Sequence, residues 1–157
     1  MYVLIVATLM FAFPVTSILI ESVLRDHGHL EALVVGKWFV FWAVGIRLFL
    51  AGLRQIIQPR YTAETILGIK DAGAMLVVRE LGFANTAIGS IGIASILFPA
   101  WAVPTGIVGT IFYGLAGINH VTHKHRNNLE NVAMMSDLFV AAVLLVFCLT
   151  VATPRLA

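Results

Sequence analysis

Charge is scarce in this sequence: Lys, Arg, Asp and Glu together make up 11% of its 157 residues, and hydrophobic residues make up 60%. A water-soluble domain carries about a quarter charged residues because it needs a polar skin, so lipid must cover much of this surface. Cysteine occurs once, at Cys148, which excludes an intramolecular disulfide and any CxxC site. In its apolar run that thiol reads as a small buried hydrophobe. No P-loop, Rossmann glycine pattern or Ser-His-Asp arrangement is present, so nucleotide and hydrolase chemistry have no support. The net charge is only +2 and no basic stripe accompanies it, which argues against nucleic acid as a partner.

What is present is apolar length. Windows of about 20 apolar residues mark spanning helices, and five can be drawn at about 1–24, 36–57, 73–98, 101–121 and 130–152. The expectation is an all-α fold, a single transmembrane domain over residues 1–157 built as a polytopic membrane helix bundle. The first window lacks a basic n-region and an A-x-A site, so it reads as a retained helix and not a signal peptide. Pro59 ends the second helix, and a short amphipathic stretch follows it. The positive-inside rule counts Arg54, Arg60, Lys70, Arg79, Lys124 and Arg126 on the side of Met1 against Arg25, Lys37 and Arg155 on the other. It predicts a multi-pass protein of the cell inner membrane with a cytoplasmic N-terminus and the C-terminus outside.

The few charges inside the spans therefore need partners, because an ionisable group deep in a bilayer is costly unless paired or wet. At 1.5 Å per residue Arg54 lies near the cytoplasmic surface, Arg47 about 15 Å deep and Asp137 about 10 Å deep, with Glu130 at the rim. Both pairs are spaced i,i+7 and so occupy one helix face each. Two antiparallel helices then offer a ladder, Arg54 opposite Glu130 and Arg47 opposite Asp137, to which the third helix adds Arg79 and Glu80. The six charges balance. They form either a buried ion-pair lattice that fixes helix register or a ligand site in the cytoplasmic half of the bundle.

Small residues and histidines supply the remaining signals. Val78, Gly82, Asn85, Gly89 and Gly92 form one stripe suited to close backbone approach between membrane helices, with Asn85 as an interhelical hydrogen-bond group. His120, His123 and His125 in NHVTHKHRNNLEN could serve as a metal set with Glu130, although histidines at a helix C-terminus also suit its partial negative charge. A haem between two imidazoles is disfavoured, since every histidine falls near a helix end.

From Gly45 onward the chain resembles the DoxX-like membrane proteins. Gly45-Ile-Arg47 with Ala51-Gly52, and Glu80-Leu-Gly82 with Gly89, match their arginine and glutamate helices over about the last 110 residues. A closer resemblance, through RQIIQPRYTAE, RELGFAN and GLAGINH, is to bacterial membrane proteins with no assigned activity. The DoxX resemblance implies a four-helix up-and-down bundle, here preceded by one N-terminal helix, and makes a quinone or a partner subunit conceivable. The expected function is a non-catalytic one: a small-molecule-binding or transport bundle, or an accessory subunit of a membrane complex. Lipid or quinone is the expected ligand, and the bilayer, complex subunits or further copies of the chain are the partners. The alternative is an enzyme, a membrane oxidoreductase acting on a lipophilic, quinone-like substrate, with Arg47 polarising a carbonyl and Asp137 or Glu80 donating a proton.

Overall fold

The computed structural model describes residues 2–24, 31–124 and 126–152, and every regular element among them is helical. Five helices are long and apolar enough to cross a membrane: α1 (Tyr2–Leu24), α2 (Ala32–Ile57), α3 (Ala72–Ala94), α4 (Pro99–Thr122) and α5 (Asn128–Ala152). Helix α2 begins four residues earlier than its hydropathy window suggests, because Ala32–Val35 is apolar enough to continue the span. Helix α3 stops at Ala94, followed by a turn. Phe98 has φ −120° and ψ 80°, outside the helical region, as the residue before a proline prefers.

Two of the spans contain wide-turn segments. In α1 the segment is Thr8–Ala12, immediately ahead of Pro14, which has no N–H to offer the carbonyl of Met10. Inserting a π turn there accommodates the proline without breaking the span. In α2 the wide segment is Val40–Ile46, ending just before Arg47. Between α2 and α3 the chain forms a short helix, Tyr61–Ile66, and turns at Gly68, whose φ of +70° favours a residue without a Cβ. Asp71 then caps α3, its Oδ1 accepting from the Gly73 N–H at 2.7 Å.

Helix α3 packs chiefly on α2, and α4 on α5. The α2–α3 seam is made by glycines: a Cβ on Gly92 would lie 2.6 Å from the Gly45 Cα, and one on Gly82 would lie 2.9 Å from the Gly52 carbonyl oxygen. Backbones this close are held by van der Waals contact, the main attraction available between helices in lipid. The central core is built by Val40, Val44 and Leu48 of α2 with Val140, Leu144 and Phe147 of α5, Tyr113 of α4 and Met10 of α1. At the end of the bundle away from Arg54, Glu21 of α1 accepts from Lys37 Nζ at 2.7 Å and Trp38 Nε1 at 2.6 Å. Trp42 Nε1 donates to Ser17 Oγ at 3.0 Å. Trp38 and Trp42 thus tie α1 to α2, whereas Trp101 is exposed and stacks on Phe98.

Candidate functional site

Arg47 and Asp137 meet. The guanidinium Nη2 donates to Asp137 Oδ1 at 3.0 Å, and the two side chains are 13% and 7% exposed. The ring of Tyr113 lies beneath the guanidinium, 5.0 Å from its carbon, and the Tyr113 hydroxyl donates to the Ala43 carbonyl oxygen at 2.5 Å. That carbonyl belongs to the wide segment of α2, so Tyr113 braces the turn that precedes Arg47. In low dielectric such an ion pair is strong only when its remaining hydrogen-bonding groups are also served. Tyr2, from the first turn of α1, faces the same guanidinium.

The pair stands at the wall of a cavity of about 440 Å³. Apolar side chains from all five helices make most of its lining, among them Val6, Leu9, Leu48, Leu81, Phe112 and Ala133. Arg54, Gln55, Tyr61, Asn85 and His120 bring polar atoms to it. Its volume falls within the range of small-molecule sites, about 300–1,000 Å³.

The other rung of the expected ladder is not formed. Glu130 is turned toward α4, where its Oε1 accepts from His123 Nδ1 at 2.7 Å and His120 Nδ1 at 3.0 Å. The cause lies in the short α4–α5 connection. Arg126 donates to the carbonyls of His120, Val121 and His123, closing the C-terminus of α4 beside the first turn of α5. Asn127 Oδ1 accepts from the Glu130 N–H, and its Nδ2 donates to the Ile66 carbonyl at 2.9 Å. Arg54 instead lies under Tyr61 of the short helix, with its guanidinium carbon 3.6 Å from the ring centre. Its Nε is buried without a hydrogen-bond partner.

Arg79 and Glu80 also lie outside the charge centre, and both are exposed on α3. The face of α3 that packs on α2 carries Val78, Gly82, Asn85, Gly89 and Gly92, all buried. At about 100° per residue, positions 79 and 80 turn away from that face. Asn85 donates from Nδ2 to Gln55 Oε1 at 2.8 Å, joining α3 to α2. Of the expected metal set, His120 and His123 meet at Glu130, and among the described residues no group of three His, Cys, Asp or Glu side chains has metal-holding geometry. His125 lies outside the described residues.

Sequence reasoning missed Tyr113, Tyr61 and Gln55. Tyr113 was detectable, because a tyrosine in mid-span must find a partner for its hydroxyl. Tyr61 was not, since its contact depends on how the short helix folds back over α2.

These features define a membrane-type helical bundle with a buried arginine–aspartate pair beside an internal cavity. A family of unknown function, DUF6790, matches residues 1–156, and the chain belongs to that family. No curated protein and no solved structure matches the chain. Nothing in these comparisons links it to the DoxX-like proteins.

Proposed function

We propose that this chain binds a small lipophilic molecule within its helix bundle, acting as a binding or transport unit or as an accessory subunit of a membrane complex. The observation that carries this reading is the cavity of about 440 Å³ beside the Arg47–Asp137 pair. A lattice whose only task was to fix register would be interlocked, as protein interiors are. It would gain nothing from empty space beside two charges. In the proposed orientation the cavity end faces the cytoplasm of an inner membrane, because Arg54, Arg60, Lys70, Lys124 and Arg126 gather there.

The test is native mass spectrometry of the protein released from a mild detergent or lipid nanodisc. A bound small molecule is expected on the parent protein and is lost on Ala116→Phe, which fills the cavity from α4. The same variant stays folded by circular dichroism. A parent that carries nothing, together with an Ala116→Phe variant that is simply more stable, leaves the pair as a structural lattice. Supplying reduced quinone analogues in the same nanodiscs separates binding from turnover: oxidation of the quinol would favour the enzyme.

A further inference from the structure

We infer that the ligand of this cavity is a monoanionic amphiphile, a carboxylate-type head on a lipid-like chain, held by Arg54 and reached from the acyl layer. This rests on the cavity being a ligand site. The charge of its lining selects the head. Two arginines, Arg47 and Arg54, and one aspartate, Asp137, face the space. Arg47 is neutralised at 3.0 Å by Asp137, while no carboxylate among the described residues lies within ion-pair distance of Arg54. One positive charge is left over, and a singly charged anion balances it.

The geometry of Arg54 points the same way. Tyr61 covers the face of the guanidinium at 3.6 Å, so the N–H edge is what remains for a ligand. Its Nε is buried with no acceptor. Planar edges of this kind are suited to carboxylate or phosphate oxygens.

A second unmet polar group lines the same cavity. Asn85 is 3% exposed, and its Oδ1 is buried without a partner although its Nδ2 bonds Gln55. Turning both amides preserves the Asn85–Gln55 bond and presents an N–H2 donor in place of that oxygen. The pair can therefore serve an anionic head as a second donor.

The mouth selects the tail. Ile5, Leu50 and Leu81, from α1, α2 and α3, line the cavity and stay exposed by 39%, 49% and 38%. A chain leaving past them enters hydrocarbon, where apolar area is at home. A small water-soluble anion has no use for that exit.

The experiment titrates sodium myristate, its uncharged counterpart myristyl alcohol, and sodium acetate into the full-length protein in phosphatidylcholine nanodiscs, with binding read by native mass spectrometry and calorimetry. Myristate is expected to bind one molecule per chain. The alcohol binds about tenfold or more weaker for want of one charge-assisted hydrogen bond, and acetate does not bind. Arg54→Gln brings myristate down to the affinity of the alcohol and leaves the alcohol unchanged, while Arg54→Lys retains a preference for the acid. Equal binding of acid and alcohol, with Arg54→Gln indifferent, overturns the anionic class but leaves the cavity as a lipophilic site. Saturable acetate binding overturns the lipid-like tail. If neither chain binds to the parent or is affected by Ala116→Phe, the ligand-site reading itself falls.

Discussion

Replacing Arg47 with methionine tests the energetics of the charge centre most directly. Asp137 is 7% exposed at its side chain and has Arg47 as its 3.0 Å ion-pair partner, so Arg47→Met strands a nearly buried carboxylate. Breaking a buried pair from one side costs about 3–5 kcal/mol. Asp137→Leu strands the guanidinium instead, at a smaller cost, since Tyr113 still lies beneath it at 5.0 Å. The double variant Arg47→Met with Asp137→Leu removes both charges and replaces them with apolar groups of similar bulk. It should be less damaging than Arg47→Met alone, giving a coupling energy of about 2 kcal/mol or more. The measurement is unfolding by sodium dodecyl sulfate titration in bicelles, followed by helical circular dichroism. Strictly additive losses, or a double variant worse than either single one, would falsify the claim that these two residues stabilise each other.

Gly89→Ala places a Cβ 2.7 Å from the Phe49 Cα and 2.8 Å from the Gly45 carbonyl oxygen. Because backbone cannot move aside, it should cost about 1–3 kcal/mol in the same titration, whereas Gly114→Ala, whose nearest neighbour is the Ala141 Cβ at 3.9 Å, should be neutral; equal effects would show that the seam is not tight. Asn127→Ala removes both the cap on the Glu130 N–H and the tether to the Ile66 carbonyl. Hydrogen exchange of Tyr61–Ile66 should quicken with a stability loss of about 1 kcal/mol, and unchanged exchange there would refute the tether. Glu130→Gln removes the ionised acceptor shared by His120 and His123 at a cost of about 1.5–3 kcal/mol; an unaltered unfolding midpoint would mean that the histidines are held by something else.

The five spans were legible because hydrophobic length in a bilayer has almost no alternative meaning. The ladder was legible only by half. Spacing of i,i+7 on α2 and on α5 puts each pair of charges on one face, but it does not say which neighbour each rung meets. Arg47 and Asp137 lie inside the bundle, where the packing of α2 on α5 through Val40, Val44 and Val140 brings them together. Arg54 and Glu130 sit at the rim, where loops compete. The α4–α5 connection supplies histidines to Glu130, and the short helix after Pro59 supplies Tyr61 to Arg54. Those local partners arise from chain folding outside the spans, where hydropathy carries no information. Arg79 and Glu80 were misplaced for a different reason: their depth was read from the sequence but their angle was not, although the glycine stripe that faces α2 already fixed it.

Helix α2 joins the two halves of this architecture, and its wide segment is the point where they meet. Gly45 and Gly52 admit α3 on one side, while Arg47 and Arg54 face the cavity on another. Inside Val40–Ile46 the usual i→i−4 bonding is shifted, and the Ala43 carbonyl takes the Tyr113 hydroxyl from α4 at 2.5 Å. The same tyrosine ring carries the Arg47 guanidinium. One side chain of α4 therefore satisfies the backbone where α2 widens and sets the rotational position from which Arg47 reaches Asp137. Close α2–α3 packing and charges beside the cavity thus coexist on a single helix, with Gly45 and Gly52 on the seam and Arg47 and Arg54 two residues on from each.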